Sequence, residues 1–106
     1  MLSQKYTLND VIVIKLVSGE EIIGRFQSES SLSITISKAF SISAQNTPQG
    51  LALGLTPALM VSEPTQNIDI EKNAIAIRSK PPFNHPIVQE FQQQTSGIVL
   101  GTGKSL

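Results

Sequence analysis

Between Leu32 and Ser37 apolar and polar residues alternate without a break, with Leu32, Ile34 and Ile36 on one parity and Ser33, Thr35 and Ser37 on the other. A period of two sends successive side chains to opposite faces of an extended chain, so this segment is a strand with one apolar face. The apolar parity continues through Phe40, Ile42 and Ala44, and Lys38 alone interrupts it. One charged residue on the apolar side of so long a strand predicts a bend or bulge near Lys38, with the strand staying on one face beyond it. A long bent strand is what allows a short sheet to curl into a barrel.

The rest of the chain reads mostly as further strands. Val11 to Val17 is apolar at every position except Lys15, the pattern of a strand buried on both faces. Ser18, Gly19, Glu20 and Glu21 form a hairpin turn into a second strand from Ile22 to about Ser28, and Glu29, Ser30 and Ser31 form the next turn. After the loop composition of Asn46 to Gly50, Leu51, Leu53 and Leu55 restart the alternation until Pro57, which marks a broken or edge strand. Leu59 to Val61 can resume it before a loop from Glu63 to Gln66. Ile68 and Ile70 alternate with Asp69 and Glu71, and a short strand through Ile75 and Ile77 follows Lys72 and Asn73. Asn84 and His85 before Pro86 suit the first turn of a helix, with Ile87, Val88 and Phe91 on one side. The expected helix is short, about 86–95, ended by Gly97 and followed by a frayed tail.

With 106 residues there is room for one hydrophobic core, so a single domain is expected over 1–106, with the strands at about 11–80 and the helix and tail at about 84–106. Aromatic residues make up 5% of the chain and Trp is absent, so the core must come from Ile, Leu, Val and Ala, of which Ile and Val favour strands. Only 15% of residues are charged, which implies that part of the surface is covered. The absence of Cys excludes disulfides, thiolate metal sites and thiol nucleophiles. Eight basic and eight acidic side chains cancel, so any nucleic-acid binding must use a local patch and not a broad positive field. Neither a signal core nor a membrane span is read, and the expectation is a soluble cytoplasmic protein without membrane contact.

Two ordered groups of residues carry a family resemblance. The first is Ile12, Ile14 and Leu16, then Gly19 at the turn, Gly24 and Phe26, then Glu29, Leu32 and Ser33, with Ile36 beyond. The second is Lys72, Asn73, Ala74 and Ile75. In this order they resemble the Sm-like (LSm) RNA-binding proteins, with Glu29 and Ser33 at the places of the family's Asp and Asn. The second group is similar to the motif of the bacterial Hfq branch. A rival alignment sets Arg78 and Ser79 on the Arg and Gly pair of the eukaryotic and archaeal motif; Pro81, Pro82 and Pro86 fit poorly in the sheet core it would require. The resemblance covers about 11–78, and departures from the cellular branches make the chain similar to small phage-encoded members.

The resemblance implies a small, strongly bent, five-stranded antiparallel SH3-like barrel with a short C-terminal helix, assembled as a homo-oligomeric ring. It also implies a nucleotide pocket for RNA or single-stranded nucleic acid, built from Glu29, Leu32, Ser33, Lys72 and Asn73. In such a pocket Lys72 would hold phosphate and Asn73 would supply an amide. Leu32 and the serines stand where an aromatic ring or Met would stack on a base, and stacking is worth roughly 1–3 kcal/mol per base. Glu29, Ser33 and Lys72 beside Asn73 also fit ordinary solvated turns, and a scaffold ring without nucleic acid is the alternative function.

No catalytic arrangement emerges. Gly101, Thr102, Gly103, Lys104 and Ser105 end like a phosphate-binding P-loop, but Ile98 occupies the place of its required first Gly. His85 has no Cys or carboxylate cluster near it in sequence, and Asp69 and Glu71 read as a solvated strand face. The expectation is a non-enzymatic protein with no metal and no cofactor.

Overall fold

Isoleucine and valine, stiff at the branched Cβ, hold β1 (Val11–Leu16) and β2 (Glu21–Glu29) extended on either side of a tight turn. Gly19 takes φ +99°, a conformation costly to other side chains, and its N–H donates to the Leu16 carbonyl at 2.8 Å. The hairpin register runs from Val11 opposite Arg25 to Lys15 opposite Glu21. The computed structural model describes the chain over residues 6–59 and 66–104.

β3 (Ser33–Thr47) is the long strand of the sheet, and it is irregular at Lys38, which takes φ +54°. Arg25 lies opposite Ser37 and Ile23 opposite Phe40, so β3 carries one extra residue between those pairs. This is a β-bulge where the sequence predicts one, with a consequence that the sequence does not show. The extra residue reverses the facing of every later side chain. Ile34, Ile36 and Ala39 join one core cluster, whereas Phe40 and Ile42 pack in another. The expectation that the strand stays on one face is therefore corrected.

The sheet order is β4-β3-β2-β1-β6, with β4 (Gly50–Pro57) and β6 (Ile75–Ser79) at its ends. β5 (Ile68–Glu71) pairs with the start of β3, Ser33 opposite Glu71 and Ile36 opposite Ile68, whereas β4 pairs with its later half. The neighbouring pairs are all antiparallel. The sheet thus has six strands and not five, because β3 is long enough to serve two partners in succession. A 3-10 turn at Lys72–Ala74 carries the chain from β5 to β6, which pairs with β1 and has no ladder to β5 among the described residues. The sheet is consequently not closed into a barrel. Residues 60–65, where Leu59 was expected to resume a strand and lead into a loop, lie outside the described residues.

Alternation along β1 divides the core between the two faces of the sheet. Ile12 and Ile14 enter a cluster with Ile22, Phe26, Ile34, Ile36, Ala39 and Ile70. Val11 and Val13 face the other way, against a cluster of Ile23, Phe40, Ile87, Val88 and Phe91. A strand with both faces covered is what the near-continuous apolar run of β1 requires. The helical half of the second cluster is α1 (Pro86–Lys104). The His85 imidazole accepts the Ile87 N–H at 3.0 Å and so satisfies a donor that the first turn leaves open. Phe91 is fully buried and meets Phe40 edge-on, with ring centroids 6.1 Å apart. The helix runs past the end expected at Gly97 and through the segment expected to fray as far as Lys104. Glycine lowers helix stability by about 1 kcal/mol, yet helical dihedrals remain open to it, so it stops a helix only where the chain turns away. Among the described residues no helix is long and apolar enough to cross a membrane.

Candidate functional site

The turn between β2 and β3 is organised by Ser30. Its hydroxyl accepts the N–H groups of Leu32 and Ser33 at 3.2 and 3.1 Å, and the Ser30 N–H donates to the Ser33 carbonyl at 2.8 Å. Serine favours such local bonds over a continued ladder, which explains the sharp reversal. The turn leaves the Leu32 side chain 74% exposed while its carbonyl accepts the Lys72 N–H at 2.8 Å. That bond fastens the β2–β3 turn to the 3-10 turn between β5 and β6.

Side chains join the same two places. One oxygen of Glu29, at the end of β2, accepts from Lys72 Nζ at 2.7 Å and from Arg78 Nη1 at 2.8 Å. The hydrogen bond from Lys72 is the largest influence holding the Glu29 carboxyl below the usual carboxylate range; Arg78 adds to it, and burial opposes both. The Arg78 guanidinium lies 5.8 Å from the centre of the Tyr6 ring, which in turn packs on Phe26 with centroids 5.6 Å apart. Burial raises the Tyr6 phenol, with Arg78 pulling the other way and Glu29 adding to the rise.

Of the five residues expected at the site, Glu29 and Lys72 are in direct contact, and the Leu32 backbone is bonded to Lys72. Ser33 lies beside them as the ladder partner of Glu71, and its hydroxyl is turned toward Ser30 at 3.4 Å. Asn73 is exposed on the 3-10 turn, next to Lys72. Arg78 lies outside the five expected residues, and the rival alignment of the second motif points to it. The cations that the two alignments single out, Lys72 and Arg78, meet on one carboxylate. Tyr6 precedes both motifs and carried no signal.

Two cations meet one carboxylate here, with the exposed Glu71 next to Lys72 in the chain, beside an exposed apolar side chain and an exposed amide. Such a surface can attract an anion, offer an apolar contact and donate hydrogen bonds. Among the described residues no three His, Asp or Glu side chains are placed to hold a metal ion. No protein-family model matches the chain, and no curated protein matches its sequence.

Proposed function

We propose that this chain is an Sm-like, non-enzymatic protein that binds RNA or single-stranded nucleic acid as a homo-oligomeric ring. The observation that carries the reading is the union of two turns distant in sequence, with Lys72 and Arg78 gathered on Glu29 beside Leu32 and Asn73. The Sm-like resemblance assigns these turns to the nucleotide pocket, and the paired cations suit a phosphodiester.

Assembly is supported by the ends of the sheet. Among the described residues the outer edges of β4 and β6 have no strand partner, and both strands expose large apolar side chains, Leu51 at 68% and Ile77 at 59%. Open edges invite pairing with another chain. An edge-to-edge contact between β4 of one copy and β6 of the next is head-to-tail, and it closes into a ring when the rotation per copy divides a full turn. Repetition around the ring multiplies a weak contact at each copy.

A scaffold ring without nucleic acid is the second reading, favoured by the short contacts through which Glu29 already engages both cations. Fluorescence anisotropy with labelled A-rich and U-rich strands at low and moderate salt separates the two. The nucleic-acid reading predicts salt-sensitive binding that the Lys72→Ala variant weakens while the assembly mass is unchanged. Assembly without binding of either strand at low salt contradicts it.

A further inference from the structure

On the helical side of the sheet, away from the Glu29 cluster, an open cleft of about 360 Å³ lies between the start of β1, the Pro81–Pro82 segment and α1. Ligand sites begin at about this size. Its wall includes Phe83, whose side chain is 69% exposed although it is an apolar ring. The ring stands on a fixed turn. Two prolines precede it, the His85 N–H donates to the Pro82 carbonyl at 3.0 Å, and Gln89 Nε2 donates to the Phe83 carbonyl at 2.8 Å. The backbone that carries the ring is thus already ordered, so binding does not have to order it.

The polar lining suits a particular class of ligand. Arg25 and Lys80 supply two cations and Asp10 one carboxylate, with Lys80 Nζ 3.3 Å from Asp10, so these three groups sum to one positive charge. Arg25 is held by a 2.7 Å bond from Nη1 to the Asn9 carbonyl and lies 5.8 Å from the centre of the Phe91 ring. A guanidinium has five N–H donors, so this bond leaves others for a ligand. The amide of Gln92 and the apolar Val88 complete the surface.

The geometry points to a second nucleotide-binding site, in which a base of a single strand stacks on Phe83 and its phosphodiester lies against Arg25 and Lys80. One negative charge per phosphodiester balances the single positive charge of the cleft. The platform also provides the aromatic stacking that Leu32 cannot give at the Glu29 cluster. The inference rests on the nucleic-acid reading of the protein but uses none of the residues of the pocket proposed above.

The test is anisotropy of fluorescein-labelled hexauridylate and hexaadenylate with the full chain at low salt, comparing wild type, Phe83→Ala, Phe83→Trp, Lys80→Gln and Lys72→Ala. Because stacking is worth roughly 1–3 kcal/mol per base, Phe83→Ala should weaken binding between about five-fold and about a hundred-fold. Phe83→Trp should retain it, and Lys80→Gln should weaken binding and flatten its salt dependence. Wild-type affinity in Phe83→Ala overturns the second site, and if Lys72→Ala is then weakened the first pocket stands alone. Loss in Phe83→Ala with none in Lys72→Ala supports the cleft and overturns the first pocket. An aromatic acidic peptide that binds the cleft while neither strand does overturns the nucleotide assignment and the nucleic-acid reading with it.

Discussion

Gly24 sits in β2 opposite the bulge of β3, and replacing it with alanine should destabilise the fold measurably. A Cβ there would lie 2.9 Å from Ile36 Cδ1, 3.0 Å from the Ser37 carbonyl oxygen and 3.3 Å from Ile36 Cβ. Carbon atoms pack best at about 3.5–4.0 Å, so the contact with Ile36 Cδ1 is far too short, and those with the Ser37 oxygen and Ile36 Cβ are tighter than ordinary van der Waals contact. The Ile36 methyl can swing aside at some loss of packing, since Ile36 is fully buried. The carbonyl cannot, because it belongs to the backbone that the Lys38 bulge has redirected. Overpacking of this kind costs about 1–3 kcal/mol. Lower entropy of the unfolded chain offsets about 0.4–1 kcal/mol of that, leaving a net loss of about 1.3 kcal/mol at the midpoints of the two ranges. For a domain near this size each kcal/mol moves the melting temperature by about 4–8 °C, so the expected fall is roughly 5–10 °C. Thermal unfolding followed by circular dichroism at fixed protein concentration measures it. Gly54→Ala is the control, since its new Cβ would meet only the movable Ser43 hydroxyl at 3.3 Å, and it should stay within about 0.5 kcal/mol of wild type. A Gly24→Ala variant as stable as the control would refute the claim that the bulge presses β3 against β2.

Glu29→Gln removes both ion pairs to Lys72 and Arg78, and partly exposed pairs are worth about 0.2–1 kcal/mol each, so a loss of roughly 0.5–2 kcal/mol is expected at neutral pH. The folded carboxyl is held low, so this contribution is present above the unfolded value of about 4.3 and is lost as pH falls through the folded value. Melting curves of the two proteins should therefore converge in acid; a difference that persists there would contradict the ion-pair account. Phe91→Ala empties a fully buried site between α1 and the sheet and should cost about 3–5 kcal/mol in denaturant unfolding, whereas a cost below about 1 kcal/mol would mean that the helix is not docked on Phe40 and Ile23.

Much of the sheet was legible because periodicity reports local geometry. The strands began and ended close to the turns marked by Gly19, by Ser30 and by Pro57, and the bulge fell at Lys38. The reversal of facing after Lys38 was hidden, because an even parity before and after the bulge looks like one continuous face. Phe40 and Ile42 can serve the helical side only when a second element covers that side, and sequence alternation does not reveal which element does so. Closure was also beyond reach, since it depends on whether β6 pairs with β5 or only with β1. At the site, motif order singled out Glu29 and Lys72. The contact between Glu29 and Arg78, far apart in the chain, arises from the β6–β1–β2–β3 order and left no trace in local pattern.

The proposed function requires that several copies of this chain together hold a single strand of nucleic acid. Sedimentation velocity of the protein with a labelled U-rich strand, monitored both by protein absorbance and by label at low and then moderate salt, addresses assembly and binding in one experiment. A ring that binds the strand gives one boundary, several chains in mass, carrying protein and label together at low salt, with the label released as salt rises. Protein sedimenting as a single chain, or an assembly that leaves the strand at its own slower rate, would contradict it.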